Sequence, residues 1–151
     1  MLMNMNMLSQ EIPEIDLSGF QVVKSDMFQA FTSRSAITMT VWPDSISFSQ
    51  ASINALKKCE HVRIEINYDA KCILVIPVTT QDRNNVRWAV SDKGKTRRIG
   101  CLRFVSVLYS AWNWNTDMAY KGTGRLVASN EKVMILYSFE KASNWKHKKN
   151  S

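Results

Sequence analysis

The alternation of apolar and polar residues along the chain predicts a molecule built mainly from β-strands. In residues 61–68, HVRIEINY, apolar side chains occupy every second position, and Arg63 and Glu65 lie between them. A period of two is typical of a strand with one buried face and one face in water. The same pattern predicts strands at 20–24, 36–42 and 45–49.

The run KCILVIPV, residues 71–78, is apolar at nearly every position. A short continuous apolar run favours a central strand that is buried on both faces. We expect Asp69 and Ala70 to form the tight turn before this strand, and Pro77 to end it. Residues 45–78 are therefore predicted to form a β-α-β-β unit that closes with a hairpin.

Three later segments also favour strands. The first is residues 84–91, which lead into a basic loop. The other two are residues 118–128 and 133–140, and the sequence SNEK between them is a typical hairpin connection. Gly122 and Gly124 resemble a phosphate-binding loop, but a P-loop ends in Gly-Lys-Ser/Thr and opens a helix. We therefore expect these two glycines to mark a bulge or close backbone packing.

Two segments have the period of an α-helix. Ser49 precedes a one-sided apolar stripe and is a suitable N-cap, which predicts a short helix at about 50–58. Lys57 and Lys58 are expected in its last turn, where they complement the helix dipole. The segment CLRFVSVLYSAW predicts the main core helix at about 101–112.

These elements predict an α+β fold, a single domain with a mainly antiparallel sheet, one short helix and one core helix. We expect residues 1–15 to be a flexible N-terminal segment, 16–140 to be the domain, and 141–151 to be a basic flexible tail. No apolar run approaches the roughly 20 residues that a membrane span requires. A cytoplasmic protein without membrane contact is the expectation.

The positive charge of the chain is concentrated in one segment. The net charge is +7, yet residues 1–26 hold four acidic residues and a single lysine. Residues 83–103 contain one acid and seven basic residues, namely Arg83, Arg87, Lys93, Lys95, Arg97, Arg98 and Arg103. This asymmetry favours a polyanionic partner, either nucleic acid or an acidic protein groove, and the planar guanidinium suits phosphate or carboxylate. A loop that is merely solvated is the alternative interpretation.

Two tryptophans are candidates for an interface. Trp88 lies among the arginines, as a residue that stacks on a base or enters a protein contact would. Trp114 follows the predicted core helix and is a candidate for exposure. Trp112 lies on the apolar face of that helix, where burial in the core is expected.

The sequence contains no recognisable catalytic or metal-binding set. His61 and His147 stand far apart and outside any known motif, and Cys59, Cys72 and Cys101 form no CxxC pair. A structural zinc site needs four ligands at short paired spacings. We therefore predict reduced thiols, no metal or cofactor, and a protein that is not an enzyme.

One part of the chain resembles a known DNA-binding element. The order of elements in residues 45–78 is similar to the swapped hairpin of AbrB-type transcription factors. In those proteins a strand, a short helix and a hairpin interlock between two subunits, and the dimer binds DNA. This resemblance implies a homodimer and a DNA-binding transcriptional regulator of a mobile element.

A longer resemblance covers residues 16–140. It rests on GFQVV, ISFSQASINAL, CEHVRIEIN, ILVIPV, VRW, KGKTRRIGC, LYSAWNWN, YKGTGRL and MILYSF. The chain resembles a family of small proteins from mobile elements of Firmicutes, including phages, which are often labelled integrases and which include type II-A anti-CRISPR proteins. The label integrase does not suit this chain, because neither the Arg/His/Arg/Tyr set of a tyrosine recombinase nor a DDE-type acidic triad is visible.

The longer resemblance implies an inhibitor that works in the cytoplasm of a bacterial host. Such a protein binds a type II CRISPR nuclease, either the protein or its guide-RNA complex, and blocks recognition or cleavage of target DNA. An additional contact between the basic segment and double-stranded DNA is compatible with this activity.

Overall fold

The computed structural model describes residues 12–24, 36–90 and 94–147. The chain divides into two compact units, Met1–Ala30 and Phe31–Ser151. The predicted domain boundary at residue 16 therefore lies inside the first unit. None of the helices in the described ranges combines the length and the hydrophobicity needed to cross a lipid bilayer.

In the first unit, residues 12–24 contain neither helix nor strand. The carboxylate of Asp16 accepts hydrogen bonds from the backbone N–H and the hydroxyl of Ser18, at 3.0 and 2.9 Å, which forms a local turn. The prediction of a strand at 20–24 is wrong, because a strand needs a paired neighbour and these residues have none among the described residues. Several large apolar side chains of this segment, including those of Leu17 and Phe20, are exposed.

The second unit is built on an antiparallel sheet of eight strands. These are β1 (Thr38–Val41), β2 (Ser45–Phe48), β3 (His61–Asn67), β4 (Cys72–Pro77), β5 (Val86–Arg87), β8 (Arg98–Gly100), β9 (Met118–Ser129) and β10 (Lys132–Lys146). Two more strands, β6 (Ala89–Val90) and β7 (Lys95–Thr96), form a separate ribbon. The helices of the described residues are α1 (Gln50–Ala55) and α2 (Leu102–Ala111).

The sheet is curled and has the order β5-β3-β4-β10-β9-β1-β2-β8. The prediction of a mainly antiparallel sheet with two helices is confirmed, although the molecule contains more sheet than the term α+β suggests. In the predicted β-α-β-β unit, β2 pairs with β1 and β8, while β3 pairs with β4 and β5, and β4 also with β10. Each of these three strands therefore has two neighbours within one chain.

The hairpin between β9 and β10 turns at Asn130 and Glu131, whose φ angles are 51° and 64°. Two consecutive residues with positive φ are typical of the type I′ turn that matches the twist of paired strands. After an irregularity that follows Ser138, β10 pairs with β9 again from Ser143 to Lys146. The prediction that a tail begins at residue 141 is therefore wrong for residues 141–146.

The concave face of the sheet and helix α2 enclose the core. The Tyr109 hydroxyl lies within hydrogen-bond distance of the carbonyl oxygens of Val41 and Met118, at 3.2 and 2.7 Å. At the end of α2, the Trp112 indole N–H donates to the Tyr68 carbonyl at 2.9 Å. These hydrogen bonds link α2 to β1, to the start of β9 and to the residue that follows β3. The predicted core helix is confirmed.

The short helix begins as predicted but ends earlier. The Ser49 side chain accepts a hydrogen bond from the Ser52 backbone N–H and caps the N-terminus. The helix ends at Ala55, and Lys57 and Lys58 both have a φ of 57°, so the prediction that they lie in its last turn is wrong. Two left-handed residues reverse the chain towards β3, which a continued helix would prevent.

Candidate polyanion-binding surface

The basic segment 83–103 connects the two edges of the curled sheet. It contains edge strand β5, the ribbon of β6 and β7, edge strand β8 and the first turn of α2. The predicted strand at 84–91 is thus divided into β5 and β6, with Trp88 between them. Most of this segment is regular structure rather than a solvated loop.

Helix α1 holds the ribbon through hydrogen bonds to its turn. The Gln50 side chain donates from Nε2 to the Gly94 carbonyl at 2.7 Å and accepts from the Thr96 backbone N–H at 3.0 Å. The Thr96 hydroxyl donates to the Phe48 carbonyl at the end of β2. These contacts fix the residues on either side of Lys95, so this cation projects from an ordered backbone.

Three cations of the basic segment are exposed and available to a partner. Lys95, Arg97 and Arg103 are exposed, and none of them makes an ion pair with a carboxylate of the described residues. The start of α2, which carries Arg103, lies beside β2, because the Cys101 backbone N–H donates to the Asp44 carbonyl at 3.0 Å.

Two of the predicted arginines are already paired with acids. Arg87 contacts Glu60 at 3.2 Å, and Arg98 contacts Asp44 at 3.4 Å. The hydroxyl of Ser45 and then Arg98 lower the pKa of Asp44. Both pairs are exposed, and exposed ion pairs contribute only about 0–1 kcal/mol. A partner phosphate or carboxylate can therefore replace either acid at little cost.

The structure adds two lysines that the sequence interpretation assigned to a helix dipole. Lys57 and Lys58 are exposed. The aliphatic part of Lys58 lies against Gly94 so closely that a Cβ there would approach it to 2.7 Å. Two consecutive lysines after an apolar stripe were the only sign in the sequence that this position is basic. Their proximity to the ribbon depends on the tertiary fold and could not be predicted. We define the basic face as Lys57, Lys58, Lys95, Arg97, Arg98 and Arg103.

An aromatic cluster that sequence reasoning missed adjoins the basic face. The Arg98 guanidinium lies 4.5 Å from the centre of the Trp42 ring. Trp42 in turn packs edge-on against Trp145 and His147, with ring centres 5.7 and 5.5 Å away. The ammonium of Lys121 lies 5.6 Å from the Trp145 ring. Both tryptophans are half-buried, and cation–π contacts of this kind hold Arg98 and Lys121 in place at the surface.

The two predicted interface tryptophans differ in burial. Trp88 is 0% exposed, and its indole N–H donates to the Cys59 carbonyl at 2.7 Å. Its assignment as a contact residue is wrong, because the edge-on packing against Phe48 buries it in the core. Trp114 is half-buried and stacks on Tyr120 with ring centres 4.0 Å apart, and its role in an interface stays a prediction.

Like Arg87, two other predicted cations are not included in the basic face. Arg83 is exposed in the loop before β5, next to Asp82, which pairs with Arg63 at 2.6 Å. Lys93 lies outside the described residues.

The titratable groups of the described residues form no arrangement that would bind a metal ion. No cluster of three or more His, Cys, Asp or Glu side chains occurs in ranges 12–24, 36–90 and 94–147. The His61 ring is hydrogen-bonded to the Asn85 amide oxygen at 3.0 Å. Burial raises the pKa of the Cys59 and Cys101 thiols, which makes the reactive thiolate scarce at neutral pH.

Comparisons with protein-family models, curated proteins and solved structures found no match for this chain.

Proposed function

We propose that this protein is a non-catalytic inhibitor of a type II RNA-guided nuclease. It binds the nuclease, or its complex with guide RNA, through the basic face and blocks recognition or cleavage of target DNA. The observation that carries the proposal is the exposure of three cations that make no ion pair among the described residues. Lys95 lies on the ribbon that Gln50 holds in place, Arg97 follows that ribbon in the chain, and Arg103 lies at the start of α2. Because the backbone on either side of Lys95 is already ordered, this part of the segment loses little backbone entropy when it meets an anionic surface.

The chemistry of the basic face suits a large anionic partner rather than a small anion. Its six cations lie just after α1, in β7, between β7 and β8, at the start of β8 and in the first turn of α2. An array of this kind attracts nucleic acid or an acidic protein surface and speeds encounter. The resemblance of residues 16–140 to anti-CRISPR proteins adds the nuclease as the partner.

A cleavage assay tests this proposal directly. Purified type II nuclease, guide RNA and linear target DNA are incubated with increasing amounts of the protein. We expect cleavage to be suppressed at a molar excess, and the inhibition to weaken as salt concentration rises because the contacts are ionic. Complete cleavage by several orthologous nucleases at excess protein would contradict the proposal.

A DNA-binding transcriptional regulator of AbrB type is the second candidate, and the aromatic cluster favours it. Trp42 and Trp145 carry Arg98 and Lys121 over their rings, which is an arrangement compatible with contacts to nucleic acid. Gel shifts at two salt concentrations distinguish the candidates. Tight binding to one operator supports the regulator, whereas weak, sequence-independent binding with a steep salt dependence indicates a general phosphate surface.

The regulator also requires a homodimer, which the inhibitor does not. Sedimentation or light scattering across a concentration series measures the oligomeric state of the free protein. A monomer that retains full nuclease inhibition would favour the inhibitor, and a stable dimer with operator binding would favour the regulator.

A further inference from the structure

The two edges of the curled sheet leave an apolar cavity between them. Strand β5 ends the sheet on one side and β8 ends it on the other. The cavity between them has a volume of about 370 Å³ and is lined by Ile46, Ile64, Val86, Ile99, Gly100, Cys101 and Phe104. We refer to this cavity as the edge gap. Its volume lies in the range of natural ligand sites and exceeds that of a single large side chain.

The lining of the edge gap is apolar apart from one thiol, and three arginines that adjoin it in the chain define what we call its rim. Three lining residues have an arginine as their chain neighbour: Val86 has Arg87, Ile99 has Arg98, and Phe104 has Arg103. In a strand, successive side chains point to opposite faces. Strand β8 therefore directs Ile99 into the gap and Arg98 to the outer surface.

Backbone groups also border the edge gap. Among the described residues, β8 pairs with β2 on one side only, and on the opposite edge of the sheet β5 pairs with β3 only at His61 and Val62. An edge strand presents unpaired N–H and C=O groups that an extended peptide can bind. The gap thus combines an apolar cavity, a strand edge and cations on its rim.

We propose that the edge gap binds an extended segment of a partner protein in which apolar side chains alternate with carboxylates. One edge of that segment pairs with β8, its apolar side chains fill the cavity beside Ile99 and Phe104, and its carboxylates contact the arginines of the rim. A nucleic-acid strand offers the anions but no aliphatic side chain for the cavity. The charge of the rim therefore selects an acidic peptide over a neutral one.

Peptide binding tests the inference without any nuclease or nucleic acid, so its outcome is independent of the cleavage assay. The probe is a fluorescein-labelled synthetic peptide in which glutamate alternates with valine, phenylalanine and isoleucine. We expect saturable binding by fluorescence anisotropy, weakened at least about tenfold when serine replaces the apolar residues. Equal affinity for both peptides, or no binding of the first, would overturn the inference.

Cys101 provides a second readout inside the edge gap. In the variant Cys59→Ala, Cys72→Ala, this lining residue is the only thiol left in the chain. We expect the saturating peptide to slow the reaction of Cys101 with Ellman's reagent several-fold. An unchanged reaction rate with bound peptide would place the peptide elsewhere and overturn the inference.

A pair of matched variants distinguishes the effect of the cavity on peptide binding from the effect of a change in net charge. Ile99→Glu puts a carboxylate into the edge gap, whereas Leu102→Glu puts the same charge on a side chain that is 63% exposed and does not line it. We expect the first to weaken peptide binding at least about tenfold and the second by less than about threefold. Thermal unfolding of both variants verifies folding, and equal effects on binding would overturn the proposed position. If Ile99→Glu does not fold, the position of the peptide is tested by the rate at which Cys101 reacts with Ellman's reagent in the presence and absence of peptide.

Discussion

At the scale of single residues, two glycines set how closely β9 packs against its neighbours. A Cβ at Gly122 would lie 2.7 Å from the Ser138 carbonyl oxygen and 2.9 Å from the Phe139 ring. A Cβ at Gly124 would meet the Tyr137 ring at 2.8 Å. These positions confirm the sequence prediction of close backbone packing in place of a phosphate loop.

We expect Gly122→Ala to destabilise the fold by about 1–3 kcal/mol, because the backbone oxygen of Ser138 cannot move away from the added methyl group. Gly100→Ala is the matched control, since a Cβ there has no atom within 4 Å, and it is expected to change stability by less than about 0.5 kcal/mol. Urea unfolding measures both values. Equal stability of the two variants would contradict the steric explanation.

Two buried tyrosines are predicted to make stability depend on alkaline pH. Burial raises the pKa of Tyr109 and Tyr137 well above the ordinary value. The folded state therefore holds these protons more tightly than the unfolded state, in which tyrosine titrates near pH 10. The contribution to stability is complete below about pH 10 and is lost progressively as the pH rises above it.

Urea unfolding at a series of pH values from neutral to alkaline measures this dependence. We expect the free energy of unfolding of the wild type to fall above about pH 10. In the variant Tyr137→Phe it should fall less steeply with pH, because one of the two titrating tyrosines is missing. Identical slopes for the wild type and the variant would show that Tyr137 is not the source.

The burial of Trp88 could not be predicted from its neighbours in the sequence. It stands between two strands of two residues each, which are too short to show a period. The surrounding arginines indicated an exposed segment, and only the contacts with Phe48 and the Cys59 carbonyl place the ring in the core.

At the scale of elements, helix α1 supports the ribbon of β6 and β7. Gln50 holds both the turn at Gly94 and the backbone of Thr96, which lie more than forty positions away in the chain. A link over this distance has no local signature in the sequence. The prediction therefore included the helix and the basic loop but not the connection between them.

We expect Gln50→Ala to loosen the ribbon without changing the charge of the basic face. The Thr96 amide loses its acceptor, so its hydrogen exchange should accelerate at least about tenfold. Gln81→Ala, at an exposed loop position, is the control and should leave that exchange unchanged. Hydrogen–deuterium exchange measures both, and unchanged protection in Gln50→Ala would show that the ribbon is held by other contacts.

The length of β10 shows a second limit of periodicity. The predicted strand ended at residue 140, just after the irregularity that follows Ser138. The strand resumes at Ser143, and Trp145 packs against Trp42 of a distant segment. A bulge interrupts the period of two, so the residues beyond it are indistinguishable from a polar tail in the sequence.

At the scale of the whole chain, local pairings could be predicted but the order of the sheet could not. The hairpins β3–β4 and β9–β10 join neighbours in sequence, and both were expected from their turns. The pairs β1–β9 and β2–β8 join strands that are far apart in the chain. Alternation specifies which face of a strand is buried but not which strand lies beside it.

Charge is also organised at this scale. The basic segment was identified from composition alone, but its division into free and paired cations required the positions of Glu60 and Asp44. Because the exposed ion pairs of Arg87 and Arg98 are weak, we expect both the free and the paired cations to be able to contact an anionic partner.

The central claim is that the basic face is the surface that meets the partner, and two triple variants of equal charge test it. Lys95→Ala, Arg97→Ala, Arg103→Ala removes the free cations of the basic face. Arg125→Ala, Lys132→Ala, Lys141→Ala removes three exposed cations from β9 and β10. The inhibitory concentration in the nuclease cleavage assay should rise at least about tenfold for the first variant and less than about threefold for the second. Equal inhibition by both variants, with thermal unfolding showing that both are folded, would contradict the claim.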